Sequence, residues 1–310
     1  MTTTRHPQRL AYLALAAVCI FWGTTYLSIR IGLEALPPSY LIGIRYLISG
    51  SILLAAAMIA GIRIPRGREL WLTALCGVIC IGTGNGFLAL AETYIPSGSA
   101  ALFYTMAPFW MVGIDAFLPH GKRPLGATLG GLLIGVLGVA FLIYPAAVRE
   151  GFSGKTLTGF LLIQVSAAGW TLGSLLQKRV RSNTPPFVSG AVQQLAAGLV
   201  CTAVALEFEK MPARVGARAM LAIAYLVVFG SIVGYSAFIY TVKHLPVAIV
   251  SIYYFVNPLV AVLLGWVFFR EPFGYRAAVA MGIIFIGIGI VRWSEAANSG
   301  ARQIAESKHA

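Results

Sequence analysis

Few residues in this chain could do chemistry, and most of them stand among apolar neighbours. Arg45 lies inside the apolar stretch 39–60, and a cation at membrane depth is costly enough to be a functional candidate by default. Two uses fit it. It either anchors its helix, by snorkelling or by pairing with a backbone carbonyl, or it meets the carboxylate of a bound solute; anchoring is the preferred reading. Glu92 and Asp115 fall near the ends of apolar runs and read as interfacial, and Lys243 and His244 read as a helix C-terminal cap. No buried acid is evident, so coupling to protons has little support.

The neutral polar residues say more. Gly82-Thr83-Gly84-Asn85-Gly86 is a hydrogen-bonding patch in an otherwise apolar run, and in hydrocarbon the Asn85 amide must find a partner. A helix–helix hydrogen bond and a place on a cavity wall are equally good readings. Gln164, Ser166, Gln193 and Gln194 have the same status. Asn257 is favoured slightly for a cavity, because it precedes Pro258 and can reach backbone groups freed by a bend. Aromatic residues gather near the prolines: Phe103, Tyr104, Phe109 and Trp110 in one run, Tyr253, Tyr254 and Phe255 in another. Trp22, Trp170, Phe87, Tyr235, Phe238 and Tyr240 add to them. Most read as packing or interface residues, but Trp22 and Trp170 each stand beside a glycine. The resulting candidate cavity set is Trp22, Asn85, Phe87, Tyr104, Gln164, Trp170, Tyr235, Phe238, Tyr254 and Asn257. Such a pocket would be apolar with a few polar anchors, suited to an amphipathic organic solute.

Catalytic signatures are missing. There is no His-Glu-x-x-His, no Gly-Lys-Ser/Thr phosphate loop and no paired aspartates within apolar runs, which disfavours an enzyme or an ATP-driven pump and calls for no cofactor. Cys76 and Cys80 lie one helical turn apart without a neighbouring His or acid, so no metal is expected. Cys19, Cys76, Cys80 and Cys201 all sit in apolar runs, which argues against a disulfide framework.

The elements that must position these residues are membrane helices. The 310 residues are 58% hydrophobic and 11% charged, against about 25% charged in soluble domains. The net charge of +13 resides in short loops, which fits lipid headgroups and the positive-inside rule better than nucleic acid. The expected fold is all-α and integral to the membrane, with ten spans near 10–29, 39–60, 70–91, 97–118, 125–145, 156–177, 186–206, 217–240, 246–269 and 275–293. The first follows Arg5, His6 and Arg9 as a signal peptide would, but lacks a small-residue cleavage site and reads as a retained helix. Lys and Arg number 14 on the side of the termini and 8 on the other, so both termini are expected in the cytoplasm.

The chain also repeats itself. Trp22 maps to Trp170, Pro37-Pro38 to Pro185-Pro186 and Gly50 to Gly198 at an offset of 148; Pro96 and Pro108 map to Pro246 and Pro258 at 150. Lys122-Arg123-Pro124 lies over Arg270-Glu271-Pro272 at 148 again. With five spans per unit, the second must enter the membrane from the opposite side. The expected organisation is therefore a first repeat at 1–149, an inverted second repeat at 150–293 and a polar cytoplasmic tail at 294–310. Inverted repeats place substrate at the midplane between the halves in transporters. Internal prolines bend helices, making Pro108 and Pro258 the candidate hinges. The glycines of the fifth span (Gly126, Gly130, Gly131, Gly135) and the tenth (Gly282, Gly287, Gly289) suit close packing of equivalent helices, with dimerisation as the rival use.

Trp22-Gly23-Thr24, Pro38 followed by Arg45, Pro96 to Pro108, and Pro246 to Asn257-Pro258 to Glu271-Pro272 resemble the drug/metabolite transporter superfamily, specifically its ten-helix EamA-type members. The resemblance runs from about 10 to 293. It departs from the family pattern where Lys122-Arg123 replaces the usual Gly-Glu, and where Gln193 stands opposite Arg45. It implies a monomeric inner-membrane exporter of small molecules, with spans 1, 3, 4, 6, 8 and 9 around a central cavity. Among subfamilies the likeness is greatest to exporters of aromatic and other neutral amino acids of the YddG type. Export of other metabolites or cationic drugs, and a non-transporting membrane receptor or assembly protein, stay open as alternatives.

Overall fold

The computed structural model describes residues 5–118, 126–150, 154–180, 184–245, 247–250, 252–271 and 274–309. Among them all regular structure is helical. Seven of the eight helical segments long and apolar enough to cross a membrane are single helices: α1 (Arg5–Gly32), α2 (Pro38–Ile59), α3 (Gly67–Ala91), α6 (Gly126–Glu150), α7 (Lys155–Arg179), α8 (Pro186–Phe208) and α9, which runs from Ala217 to His244. The remaining one, Ser97–Phe117, is built from α4 (Ser97–Tyr104) and α5 (Ala107–Phe117). The short α10 (Val247–Val250), α11 (Tyr253–Phe269) and α12 (Tyr275–His309) complete the order.

Ten spans were expected; eight are found among the described residues, and the last two expected runs contribute, among those residues, the apolar stretches Val256–Phe269 of α11 and Tyr275–Val291 of the 35-residue α12. The tail expected at 294–310 instead continues α12 to His309, in a sequence rich in Ala, Glu, Gln, Arg and Lys that favours helix. Lys122, Arg123, Pro124, Pro246 and Pro272 lie outside the described residues.

The two proline-containing runs break differently. α4 ends at Tyr104, and Pro108 occupies the first turn of α5, where a missing N–H costs nothing. Thr105 and Met106 close the junction with short-range bonds to the carbonyls of Leu102 and Phe103, at 3.2 and 3.3 Å. Pro258, in contrast, lies inside α11, and the interruption comes six residues earlier, at Ile252. The helix therefore continues through Pro258, with a separate interruption before it. Asn257, just before the proline, ties α11 to α1. With its amide oriented to donate, Nδ2 reaches the Tyr253 carbonyl at 3.2 Å and the Cys19 carbonyl of α1 at 3.0 Å.

Two segments wind as π-helix, Val78–Thr83 in α3 and Leu226–Val233 in α9. They begin 148 residues apart, the same offset as the sequence repeat.

Glycine sets the tightest helix pairs. α2 packs along α8: a Cβ on Gly50 would come within 2.8 Å of the Leu195 backbone nitrogen, and one on Gly198 within 2.7 Å of the Leu47 nitrogen. α6 packs along α12 in the same way, with Gly131 against the Gly287 carbonyl and Gly287 against the Gly131 carbonyl and Gly135. Gly126, Gly130, Gly282 and Gly289 face open space. α1 lies against α9 and α11, and α7 against α3, α4 and α5.

Candidate functional site

These helices enclose a cavity of about 270 Å³. α1 contributes Trp22, Thr25 and Tyr26, and α2 contributes Arg45 and Tyr46. The π segment of α3 and the turn after it bring Cys80, Ile81, Gly84, Asn85 and Leu88; α4 brings Tyr104. Trp170, Ser174 and Gln177 come from α7, Gln193 and Gln194 from α8. The second π segment and its continuation supply Gly230, Ser231, Tyr235 and Phe238, and α11 supplies Tyr253, Asn257 and Pro258. A π turn widens the helix and shifts the facing of residues beyond it. Both π segments here fall on the cavity wall.

Trp22 and Trp170 meet edge to face at 6.3 Å between centroids, and Trp22 also contacts Phe238 at 5.0 Å and Tyr253 at 5.4 Å. Trp22 is fixed by its indole N–H, which donates to the Gly230 carbonyl at 3.2 Å. Gly84 and Gly234 make room for the indoles, since a Cβ there would lie 3.1 Å from the Trp170 ring and 2.7 Å from Trp22 Nε1. Tyr26 and Tyr104 face each other at 6.5 Å.

Of the candidate cavity residues, Trp22, Asn85, Tyr104, Trp170, Tyr235, Phe238 and Asn257 therefore share one wall, together with Arg45 and Pro258. Phe87 is half-buried on α3 away from it. Gln164 is engaged elsewhere, accepting from Trp110 Nε1 at 3.0 Å and donating to the Phe103 carbonyl at 3.4 Å. Pro108 is buried at the α4–α5 junction, and the Tyr254 side chain lies outside the described residues. The resemblance placed neither α2 nor α8 on the cavity, whereas the residues themselves had made Arg45, Gln193 and Gln194 candidates for its wall. Of the four residues they add, Gln193 donates to Gln177 Oε1 at 2.9 Å, and Gln194 Oε1 accepts from Ser49 at 2.5 Å.

The cavity runs from Leu88, one turn before Glu92, to Gln177 in the last turn of α7. Beyond Leu88 the bundle is sealed. Arg270 adopts the left-handed conformation (φ 51°) that ends α11, and Glu271 follows with its N–H on the Gly265 carbonyl at 3.1 Å. Its carboxylate accepts from the N–H and Oγ of Ser97, both at 2.8 Å, and from the Gly98 N–H at 2.9 Å, capping the N-terminus of α4 where the helix dipole favours an anion. Glu209 caps α2 likewise, accepting from Ser39 N–H at 3.0 Å and Tyr40 N–H at 3.1 Å. Glu92, expected at an interface, is wholly buried here, and neither carboxyl oxygen has a hydrogen-bond partner. Arg30 instead donates to the Glu92 backbone carbonyl at 2.5 Å. Burial, with the neighbouring Glu271 charge adding and Arg30 opposing, holds the Glu92 carboxyl well above the usual carboxylate range. The opposite end has looser contacts: Thr184 to Glu69 at 2.8 Å, Arg63 to Glu69 at 4.0 Å and Arg179 to Asp115 at 3.9 Å.

The model of the EamA-like transporter family matches the chain twice, over residues 9–144 and 157–293. The chain belongs to this family. It is 34% identical over 286 residues to the uncharacterized inner membrane transporter YedA of Escherichia coli strain K12, covering 90% of this chain and 89% of that one. A probable terminal-alkyne amino-acid exporter of Streptantibioticus cattleyicolor is 25% identical over 266 residues, covering 83% and 85%. One crystal structure matches with a TM-score of 0.65 at 23% identity, over 91% of this chain and 96% of that one, a likeness of fold alone. The chain is thus a multi-pass membrane protein of a transporter family.

Proposed function

We propose that the protein exports amino acids with aromatic or other apolar side chains across a bacterial inner membrane, by alternating access and with at most weak coupling to another gradient. The observation that carries this reading is the make-up of the cavity: aromatic faces from four or more helices, a few amide and hydroxyl anchors, one guanidinium, and no Asp or Glu among the described lining residues. An apolar side chain finds indole and phenol walls, and the polar end of an amino acid finds Arg45, Asn85 and Ser231. A cationic drug would find no counter-charge. The name of the Streptantibioticus relative favours amino acids as the cargo class.

The architecture proposed with it is two inverted five-helix halves, 1–149 and 150–293, in a single monomer with both termini cytoplasmic. The double match of the family model supports the halves. The packing supports their relation: α2 pairs with its counterpart α8 and α6 with α12, while the contacts of α1 with α9 and α11 are mirrored by those of α7 with α3 and α4. The positive-inside reading puts the Glu271 end outside, so this arrangement is closed outward, with a hollow leading toward the cytoplasm. Parting of α4 from α11 would open the other side.

The test is counterflow in proteoliposomes of purified protein, with labelled tryptophan and phenylalanine beside a cationic dye such as ethidium. Amino-acid accumulation above protein-free vesicles, with no dye movement, is the expected result. Dye movement without amino-acid counterflow would overturn the reading.

A further inference from the structure

Arg45 is 3% exposed, so it does not snorkel to an interface. Its Nε donates to Ser231 Oγ at 2.9 Å, and its Cζ stands 4.7 Å from the centroid of the Tyr46 ring. Nη1 is shielded and has no hydrogen-bond partner. Among the described residues no bond from the guanidinium to a backbone carbonyl is present, and none of the three ion pairs involves Arg45. Both anchoring explanations open to it from sequence therefore lose their footing. Gly230 is shaped around it: a Cβ there would sit 2.9 Å from Arg45 Nη2 and 3.3 Å from Thr25 Oγ1. The second π segment, which carries Gly230 and Ser231, thus receives the guanidinium of α2 from across the bundle.

A guanidinium keeps its proton under any ordinary condition, so burying one without a carboxylate leaves half an ion pair. Here that half borders a cavity with no acid on its described wall. Its planar fork suits two parallel hydrogen bonds to a carboxylate, and the indoles of Trp22 and Trp170 line the same space for an apolar body. We infer that Arg45 is the anion-binding group of the cavity and holds the carboxylate of the transported solute, making a free carboxylate joined to an apolar or aromatic body the recognised substrate class. This rests on the transport reading above and narrows it.

The experiment compares tryptophan with tryptophanamide and tryptamine as competitors of labelled tryptophan counterflow in proteoliposomes. For the wild-type protein the two analogues lacking a carboxylate should compete worse by roughly 10- to 100-fold, the range for hydrogen bonds to a charged group. In Arg45→Gln the tryptophan-to-amide ratio should fall toward one, and Arg45→Lys should restore part of it. Equal competition by tryptophan and its amide in the wild type overturns the inference while leaving transport intact, and needs no variant to fold. Retention of the full ratio in Arg45→Gln overturns it too. Absence of any amino-acid counterflow in the wild type removes the transport reading and this one with it.

Discussion

Arg45 and Glu92 are both buried, at 3% and 0% exposure, and neither forms an ion pair within the described residues. Their surroundings differ. Arg45 borders a hollow of about 270 Å³, whereas Glu92 is enclosed at the sealed end near Arg30 of α1 and Glu271 beyond α11. The chemistry of the two groups differs in the same sense. An arginine cannot discharge itself by losing a proton, so its burial calls for an anion from outside. A carboxylic acid can take up a proton, and a dry position without hydrogen-bond partners favours that neutral form. One region is built to receive a charge, the other to do without one.

The largest effect that would break this contrast is expected at Glu271, because its carboxylate joins the two proposed halves through three hydrogen bonds. Glu271→Ala should weaken the sealed end by about 2 kcal/mol, the scale of a lost charged cap. Hydrogen exchange at the Ser97 and Gly98 amides should then quicken roughly 30-fold. Exchange unchanged from wild type would mean that the seal does not depend on this carboxylate.

A smaller effect, and one that sharpens the contrast, is expected at Glu92. Its carboxyl is raised above the ordinary value of 4.5 in the closed arrangement. The sealed end therefore binds a proton that an exposed Glu92 would release. The resulting stabilisation is fully present below the ordinary value and is lost as pH rises through the raised one. Burial sets the sign; of the charged groups facing it, the Glu271 carboxylate adds to the rise and the Arg30 guanidinium opposes it. The Tm of the wild-type protein should fall across that rise in pH, and Glu92→Gln, which stays neutral, should flatten the dependence. A steeper or unchanged profile in the variant would assign the titration to another group.

Much of the frame was legible in the sequence because it depends on local chemistry. Apolar run length marks membrane spans, and Pro38 and Pro186 mark helix starts. Gly131 and Gly287 mark a close crossing; Trp22 and Trp170, each beside a glycine, prove to face each other. What was not legible depends on distant neighbours. Glu92 looks interfacial from Ala91 and Thr93, and its enclosure at this end involves Glu271, a neighbour from the far end of the chain. Gln164 resembles Gln193 in sequence, yet Trp110 and the Phe103 carbonyl occupy its amide. The π segments leave no trace in an apolar pattern, because changing the register of hydrogen bonds changes no residue type. Pro258 stands inside a helix that runs on from Tyr253 to Phe269, a continuity that the proline alone does not announce.

Export by the proposed alternating access requires the seam between α4 and α11 to part for solute to cross. A Cβ placed on Gly98 would lie 3.3 Å from the Val262 Cα and 3.4 Å from its Cγ2, so a Gly98→Cys, Val262→Cys pair, in a background with Cys19, Cys76, Cys80 and Cys201 replaced by alanine, can be oxidised across it. The account predicts that oxidation stops tryptophan counterflow in proteoliposomes and that a reductant restores it in the same vesicles. Counterflow that continues at the reduced rate after complete cross-linking would contradict it.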